Sequence, residues 1–462
     1  MPHTRWTLAL LALSQLITSL DYFIVVVALP DIGADLGFSA QSLQWVSSAY
    51  AVAYGGFLLL GGRLADLMGR RRMFVAALAL FALSSLAAGL ATGPGVLVVI
   101  RAVQGLGGAL LFPATLALVN TLFEEGRARN TALAVWSGAG ASGLALGSLL
   151  GGLLTGAFGW EAVFYVNVPL AGVAIAAAYA LIPADAPAER GRRLDLPGAV
   201  LATAGVSLLA FALIQGPESG WTAAPVLVSL VLAVVLLAAF VAVERAGADP
   251  LMPLRLFGNR SLSSAVVVIL VFGGTFNALP YFLTVYFQTV LGHGVVTTGL
   301  AFLVPALLIA LGTQLGGRLA GRAGMRATLL LGTIGGAAGT AALALGLGAG
   351  GYWALLPGIV VMGVSQGLTW TGMWIAAATG VAPHQQGVAS GMASTALQVG
   401  SAIGLAVLVA VGGVGEATGA ALAEGLSTAV LVAAGGMLLG SAVSLTFAGK
   451  RVDAEPQPAL VS

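Results

Sequence analysis

Residues 42–92 read SLQWVSSAYAVAYGGFLLLGG, RLADLMGRRR and MFVAALALFALSSLAAGLAT in succession. Two apolar runs of about 20 residues, each long enough to cross the hydrocarbon core of a bilayer as a helix, thus flank a loop that holds four arginines. Basic residues mark the cytoplasmic ends of membrane helices. This stretch therefore predicts a hairpin of two membrane helices whose connecting loop faces the cytoplasm.

The same pattern of apolar runs and short polar loops continues along the whole chain. Of the 462 residues, 59% are hydrophobic and 8% are charged, whereas about a quarter of the residues of a soluble protein are charged. Lipid must therefore cover most of the surface, and we predict an all-α polytopic membrane protein with 14 transmembrane helices. Their approximate bounds are 8–29, 42–62, 73–92, 95–119, 131–157, 162–182, 196–215, 222–243, 262–287, 296–317, 327–348, 352–377, 387–411 and 427–448.

The basic residues orient these helices. Eighteen of the nineteen, all except Arg101, fall on one side of the predicted topology, and the other side has none. Because basic loops face the cytoplasm and an even number of helices brings both ends to one side, both termini are expected to be cytoplasmic. Lys450 is the only lysine, and the other basic residues are all arginines. This usage favours a GC-rich bacterial coding sequence. We expect a multi-pass protein of the bacterial cell (cytoplasmic) membrane.

Two long charged loops divide the predicted helices into groups of six, two and six. The pentapeptide GGRLA at 61–65 recurs at 316–320, at equivalent helix ends of the two groups of six, and repeated halves are a recurring plan of secondary transporters. The two middle helices are expected on the lipid-facing side, where they link the halves. The predicted domains are an N-terminal six-helix bundle (1–185), two additional linker helices with their loops (186–255), a C-terminal six-helix bundle (256–450) and a cytoplasmic tail (451–462).

Several classes of function are disfavoured by what the sequence lacks. There is no cysteine, the three histidines are far apart, and no G-x-x-x-x-G-K-[ST] loop is present, so we expect no metal, no cofactor and no ATP as the energy source. The net charge of +2 gives no sign of a nucleic-acid partner. A membrane-embedded enzyme would need clustered acids, a histidine pair or a Ser/His dyad within the spans, and none is found.

Five motifs, in order along the chain, resemble those of the major facilitator superfamily, and specifically of its fourteen-helix drug:proton antiporter family. They are Leu20-Asp21 with Ala28-Leu29-Pro30, Gly62 to Arg72, Leu97 to Gly107 through Arg101 and Gln104, Gly143 to Gly152, and Trp160 to Pro169 through Phe164 and Asn167. Some positions depart from the pattern. Ser148 stands where proline is usual, Glu161 stands where arginine usually follows the tryptophan, and Phe23 and Val26 replace the common Thr and Asn after Asp21. In the second half, Gly321 stands at the counterpart of Asp66. The resemblance implies export driven by the proton gradient, with Arg101 in the proton-coupling machinery.

Asp21 and Arg101 are the predicted proton-coupling residues. Asp21 is the only acid placed within a span, and Arg101 is the only base so placed. Either charge is costly in the membrane unless it is paired, neutralised or in contact with water. Two alternatives remain open at this point: Asp21 is a structural residue bonded to a neighbouring helix, and Arg101 snorkels toward the outer surface.

The loop around Asp66 is predicted to act as a latch that holds the cytoplasmic side closed. Asp66 is suited to cap a helix N-terminus of the other half, because anions are favoured there, and Arg70 is suited to pair with Glu124 or Glu125. The alternative is an ordinary basic anchor at the membrane surface. The candidate latch residues are Gly62, Asp66, Gly69, Arg70, Glu124 and Glu125.

A ridge of small residues follows in the fifth predicted helix, at Gly143, Gly147, Gly151 and Gly152. Small residues let helices approach closely in lipid. We expect this antiporter glycine motif to form the seam along which the two halves slide, with plain packing as the alternative. Polar and aromatic residues in the spans are candidates for the substrate pocket or for the interfacial belt, namely Tyr50, Tyr54, Trp136, Asn277, Tyr281, Gln366 and Trp370.

The function that these features favour is export of small amphiphilic organic compounds, such as antibiotics or other drugs, by a proton-coupled antiporter that works by alternating access. A uniporter or proton symporter of a small metabolite on the same fold is the alternative, and a membrane-embedded enzyme is a more distant one. The expected partners are a small-molecule amphiphilic substrate, protons and the lipid bilayer. We expect the chain to act as a monomer and to bind no nucleic acid.

Overall fold

The computed structural model describes residues 3–185, 195–247, 250–413 and 419–447. The predicted tail 451–462 lies outside these described residues, as does most of the loop that precedes the two linker helices. Within the described ranges the chain is helical and contains no strand. The helices are α1 (His3–Leu36), α2 (Ala40–Leu43), α3 (Trp45–Met68), α4 (Arg70–Gly89), α5 (Pro94–Leu122), α6 (Arg127–Phe158), α7 (Ala162–Tyr165), α8 (Asn167–Leu181), α9 (Leu196–Ser219), α10 (Ala224–Ala246), α11 (Arg260–Gly274), α12 (Leu279–Val285), α13 (Val295–Ala301), α14 (Leu303–Ala323), α15 (Met325–Ala349), α16 (Tyr352–Ala378), α17 (Gln386–Gly412) and α18 (Gly419–Ser444).

Thirteen helical segments of the described chain are long and apolar enough to cross a membrane. The predicted span 131–157 falls within α6, which has 32 residues and is therefore about 48 Å long at 1.5 Å per residue. In the described part of α6, the segment Leu149–Phe158 forms a shorter apolar helix. A helical multi-pass protein is thus confirmed, whereas the count of fourteen stays a prediction.

The predicted span 262–287 is not one continuous helix. α11 ends at Gly274, and α12 begins four residues after Thr275. Pro280 is the second residue of α12; it lacks an N–H, and in a continuous helix its ring would clash with the carbonyl group of Phe276. Backbone polar groups at such an interruption are tolerated inside a membrane only where protein or a hydrated cavity surrounds them.

The helices on either side of the linker pair pack in the same pattern. In the first group, α1 packs against α6, and α5 packs against α3 and α4. In the second group, α11 packs against α17, and α16 packs against α14 and α15. The repeated pentapeptide GGRLA occupies equivalent places in α3 and α14, so the repeat seen in the sequence coincides with a repeat in packing.

Two pairs of helices form the main contacts between the groups, α3 with α17 and α6 with α14. α9 packs against both α3 and α17 and therefore covers one of these seams from outside, while α10 packs against α9. α10 leaves large apolar side chains exposed, such as Val231 and Val234 at 62% and 66%. α9 thus lies against both groups, and α10 lies on the surface that lipid would cover.

Candidate functional site

A cluster of buried polar side chains lies inside the first helix group. α1 supplies Asp21, α5 supplies Arg101 and Gln104 one turn apart, α4 supplies Ser85, and Asn167 is the first residue of α8. Each of the five is at most 1% exposed. Four helices therefore direct polar groups toward one point in an otherwise apolar interior, which we call the Asp21 cluster.

The carboxylate of Asp21 accepts three hydrogen bonds. Arg101 donates from Nη1 to Oδ2 over 2.9 Å, which also makes the two residues an ion pair. Gln104 donates from Nε2 to Oδ1 over 2.8 Å, and Asn167 donates from Nδ2 to the same oxygen over 2.7 Å. Such a full set of donors is what an ionised carboxylate requires in an apolar interior.

The guanidinium of Arg101 is held on several sides. Its Nε donates to the backbone carbonyl of Val46 over 3.0 Å, and its Nη1 also donates to Oε1 of Gln104 over 2.5 Å. The ring of Tyr50 lies 4.5 Å from Cζ, and the ring of Phe164 lies 5.8 Å from it, both within the range of cation–π attraction. Arg101 is therefore turned inward to Asp21, and the snorkelling alternative was wrong.

A buried ion pair of this kind is stable only while both partners carry their charges. Removing or neutralising one partner leaves the other as an uncompensated buried charge, which is strongly unfavourable. A proton that reaches Asp21 would therefore release Arg101 and force the surrounding side chains to rearrange. The geometry is compatible with a coupling role, and also with a purely structural role of Asp21, so proton coupling stays a prediction.

Asp66 joins the two helix groups at one end of the molecule, which we call the latch end. Its Oδ1 accepts a hydrogen bond from the backbone N–H of Gly387 over 3.1 Å, and its Oδ2 accepts one from Val388 over 2.9 Å. These N–H groups belong to the first turn of α17, where no side chain of α17 itself supplies a cap. Asp66 thus caps a helix of the other group, where the partial positive charge of the helix dipole favours an anion.

Two glycines permit this contact. A Cβ atom added at Gly62 would lie 2.2 Å from the carbonyl oxygen of Gly387, and one added at Gly387 would lie 2.4 Å from that of Gly62. Both distances are far below van der Waals contact. α3 and α17 can therefore approach to the distance that the Asp66 cap requires only because both positions lack a side chain.

The predicted partner of Arg70 was wrong. Among the described residues, Arg70 lies 3.6 Å from Asp66 within its own helix hairpin, and its Nη2 donates to the backbone carbonyl of Pro383. Glu125 pairs instead with Arg129, the third residue of α6, over 3.6 Å, and the backbone carbonyl of Glu124 accepts a hydrogen bond from the N–H of Arg129. The acids follow α5 directly, so the nearest base on α6 is within reach and Arg70 is not needed to pair with them.

Gly69 has a role within the first group. Its φ of 95° is accessible to glycine but strained for other residues, and it forms the turn between α3 and α4. Asp185, which follows α8, accepts hydrogen bonds from the backbone N–H groups of Arg71 and Arg72 over 3.0 and 2.9 Å. Asp185 therefore caps α4 as Asp66 caps α17.

The second seam between the groups also closes at the latch end. Gln314 of α14 donates from Nε2 to the backbone carbonyl of Ala134 of α6 over 3.2 Å. Gly317 lies one turn further on, where an added Cβ would be 2.9 Å from the carbonyl oxygen of Asn130. The backbones of the two groups therefore approach closely at both seams at the latch end.

The glycine motif of α6 does not lie between the two groups, contrary to our expectation. Cβ atoms added at Gly143, Gly147 and Gly151 would meet atoms of α1 between Ser19 and Val27, with closest distances of 2.4 to 2.9 Å, and one at Gly152 would meet nothing within 4 Å. The three glycines therefore bring α6 against the segment of α1 that carries Asp21. The sequence pattern predicted close packing correctly but could not specify the partner helix.

Aromatic rings connect the Asp21 cluster with the second helix group. Centroid distances of 5.2 to 6.4 Å join successive rings of this aromatic chain, which consists of Tyr50, Tyr54, Phe112, Trp136, Trp374, Trp370 and Phe272. Trp136 and Trp374 are fully buried, and within the described structure their indole N–H groups have no hydrogen-bond partner. The rings thus form a continuous chain of contacts from the first helix group to the second.

The other pocket candidates are more open. Asn277 is exposed, lies at the interruption between α11 and α12, and donates from Nδ2 to Oγ of Ser401 over 3.2 Å. Tyr281 is 41% exposed, and Gln366 is half-buried. Whether these residues contact a substrate stays a prediction.

Three members of the Asp21 cluster were not assigned this role from the sequence. Gln104 and Asn167 stand in motifs that resemble those of the family, but the sequence did not indicate their partners. Nothing in the sequence around Ser85 indicated a role for it. Ser85 accepts a hydrogen bond from Nε2 of Gln104 over 2.8 Å. A polar amide within a long apolar run is a signal that would have indicated Gln104, because such a group needs a partner in the membrane.

Comparison with known proteins agrees with this architecture. The model of the Major Facilitator Superfamily matches residues 11–405. The puromycin resistance protein of Streptomyces alboniger is 40% identical over 97% of this chain and 89% of its own length. The cephamycin export protein of Amycolatopsis lactamdurans is 39% identical over 88% of this chain and 85% of its own.

Solved structures show the same fold at low identity. The human organic anion transporter MFSD10 has a TM-score of 0.69 and 16% identity, covering 96% of this chain and 99% of its own. The proton:xylose symporter XylE has a TM-score of 0.69 and 14% identity, covering 96% of each chain. The predicted family, the multi-pass location in a cell membrane and the assignment to transporters in place of enzymes are confirmed by these relatives. The chain belongs to the Major Facilitator Superfamily.

Proposed function

We propose that this protein is a proton-coupled antiporter that exports small amphiphilic organic compounds from the bacterial cell by alternating access. The observation that carries this proposal is the Asp21 cluster, in which a fully buried carboxylate pairs with a fully buried guanidinium 2.9 Å away. Relatives named for antibiotic resistance or export, among them those for puromycin and cephamycin, support the substrate class.

In the proposed cycle Asp21 carries the proton. In the paired state it is ionised and holds Arg101; when a proton reaches it, the ion pair is lost and the cluster reorganises. One charge that crosses the membrane down 100 mV releases about 2.3 kcal/mol, enough to concentrate a substrate roughly fiftyfold, since 1.4 kcal/mol corresponds to about tenfold. No cofactor is required, because the gradient supplies the energy.

Two packed seams offer routes from the Asp21 cluster to the latch end. Asp21 lies on the part of α1 that Gly143, Gly147 and Gly151 hold against α6, and α6 reaches α14 at the latch end. α5, which carries Arg101, packs closely on α3 with Gly105 against the backbone of Tyr50, and α3 carries Asp66. A rearrangement at the cluster can therefore bias both latch contacts.

The orientation and the domain organisation are part of the proposal. The latch end carries the basic loops and is taken as the cytoplasmic side, so this structure is closed toward the cytoplasm. We propose α6 as the fourteenth span, because its 32 residues suffice to cross a bilayer. Both termini are then cytoplasmic, and the domains are those predicted: 1–185, 186–255 and 256–450, followed by the tail 451–462. The chain is proposed to work as a monomer.

The test is transport in proteoliposomes that contain the purified full-length chain. A pH gradient is imposed, and the flux of puromycin and of a panel of amphiphilic dyes is followed. We expect gradient-driven flux with the wild type and its loss with Asp21→Asn, which is close in size but has no carboxylate to protonate. Asp31→Asn is the matched control, because Asp31 is an exposed acid on the same helix.

The outcomes separate the alternatives that the sequence left open. Flux that ignores the gradient would indicate a uniporter, and flux in the same direction as the protons would indicate a symporter. Wild-type behaviour of Asp21→Asn would refute the assignment of proton coupling to Asp21.

A further inference from the structure

A groove at the latch end has no assigned role and lies outside the proposed transport pathway. It has a volume of about 410 Å³ and lies between the short turn Leu254–Gly258, which precedes α11, and the connection between α16 and α17. Its polar lining side chains are those of Arg255, Asn259, His384 and Gln385. Among the described residues no carboxylate lines it, so the guanidinium of Arg255 gives the groove a positive charge.

The two basic side chains are available to a ligand. Arg255 and His384 are both exposed, and within the described chain neither has a hydrogen-bond or ion-pair partner. Asn259, in contrast, is fully engaged: it caps α11 through the N–H groups of Ser261 and Leu262 and donates to the backbone carbonyl of Thr379 over 3.1 Å. The groove thus has a fixed floor and two free basic groups at its edge.

We propose that this groove binds the phosphate group of an anionic phospholipid headgroup. A guanidinium and an imidazole that converge on one groove suit a phosphate, which accepts charge-assisted hydrogen bonds. The groove volume falls within the 300–1,000 Å³ that small-molecule sites commonly have, so it has room for a glycerophosphate headgroup and not only for a bare phosphate ion.

The position of the groove favours a lipid over a soluble anion. It lies where three membrane-crossing helices begin or end, at Arg260, Ala378 and Gln386, and hence at the depth of the headgroups. Phe257, in the same short turn as Arg255, is 44% exposed, and Phe is among the apolar side chains that interfacial segments bury at the boundary between headgroups and acyl chains. Basic pockets between helices on the cytoplasmic side bind acidic headgroups in other membrane proteins.

A lipid bound in the groove would affect the contacts that close the latch end. Its floor includes the segment 380–385, which carries the Pro383 carbonyl group that accepts a hydrogen bond from Arg70. The same segment leads into the first turn of α17, which Asp66 caps. A lipid that fixes this segment favours the latched state, and by linkage the latched state binds the lipid more tightly.

The experiment measures lipid retention by the purified full-length chain. Native mass spectrometry compares phosphatidylglycerol with phosphatidylcholine, which has no net charge, for the wild type and for the double variant Arg255→Gln with His384→Gln. We expect the wild type to retain phosphatidylglycerol in preference, and the double variant to bind it about tenfold more weakly, as the loss of charge-assisted contacts implies. Arg245→Gln is the matched control, since Arg245 is an exposed base at the end of α10 outside the groove, and it should change binding less than about twofold.

A second arm distinguishes the source of the phosphate. Inorganic phosphate is added to protein in detergent, and its effect on the thermal midpoint is measured. Suppose that phosphate raises the thermal midpoint of the wild type but not that of the double variant, and that phosphatidylglycerol is not retained selectively. This result would reject a lipid as the ligand. Equal retention of phosphatidylglycerol by wild type and double variant would overturn the site altogether. Neither arm depends on transport, so both remain informative if the proposed antiport fails.

Discussion

Asp66 and Val388 are 322 positions apart in the chain, yet the carboxylate of one accepts a hydrogen bond from the backbone N–H of the other over 2.9 Å. This bond joins the two halves of the repeat at a single helix terminus. It is charge-assisted, it is shielded from solvent because the side chain of Asp66 is 1% exposed, and it must break if the latch end is to open.

Asp66→Asn is expected to weaken the latch. Hydrogen bonds to a charged group are worth about 1.5–3 kcal/mol, so the ratio of latched to open molecules should fall by about tenfold or more. The chain has no cysteine, so spin labels at Met68→Cys and Gly321→Cys report the distance between the groups by pulsed electron resonance. Asp185→Asn is the control, because Asp185 caps α4 within one group. Identical distance distributions for Asp66→Asn and the parent would contradict the latch.

Gly62→Ala is expected to separate α3 from α17. The new methyl group would lie 2.2 Å from the carbonyl oxygen of Gly387, so the helices must move apart and the Asp66 cap must lengthen. Gly152→Ala adds the same methyl group at a position with nothing within 4 Å. The distance between the spin labels at positions 68 and 321 should increase for Gly62→Ala and stay unchanged for Gly152→Ala. If neither variant changes this distance, the close approach of α3 to α17 is not what closes the latch end.

Ser85→Ala should destabilise the protein, and Ser84→Ala should not. Ser85 accepts the buried N–H of Gln104 over 2.8 Å, whereas Ser84 bonds only to the carbonyl groups of its own helix. Leaving a buried donor unpaired costs about 1–3 kcal/mol. The free energy of unfolding or the thermal midpoint in a defined lipid mixture measures the difference, and equal values for the two variants would show that the Asp21 cluster does not need this acceptor.

Trp374→Phe and Trp374→Ala should differ sharply. The indole N–H of Trp374 has no partner in the described structure, so its loss costs little, and the phenyl ring preserves most of the contacts with Phe112 and Trp136. Truncation to alanine leaves a cavity in a fully buried site and should cost about 3–5 kcal/mol. Thermal unfolding of both variants is the measurement; a phenylalanine variant as unstable as the alanine variant would reveal a partner for the indole.

Local composition was enough to predict the helical multi-pass architecture. The cost of transferring each side chain into lipid is set by that side chain almost independently of its neighbours, so the length of an apolar run and the position of a charge carry most of the information. Asp21 and Arg101 stood out for the same reason, as rare charges in long apolar runs. The cap of Asp66 on a helix of the other half was also predicted, because anions are favoured at helix N-termini.

The sequence did not predict which of several similar helices pack against each other. Gly143, Gly147 and Gly151 predicted a close contact, but many helices of this chain offer a Gly/Ala-rich face, and only the tertiary structure selects α1 as the partner. The expected pairing of Arg70 with Glu124 or Glu125 failed because Arg129 lies nearer to Glu125 in space.

The sequence by itself thus determined that the chain crosses the membrane many times and which two charges lie inside it, because burial in lipid is a property of each segment alone. Only the tertiary structure decided that Gln104 and Asn167 complete the shell around Asp21, that Asp185 caps α4, and that α17 is the helix that Asp66 caps. Those relationships depend on the relative rotation and translation of helices, which many weak and nearly equivalent contacts set together.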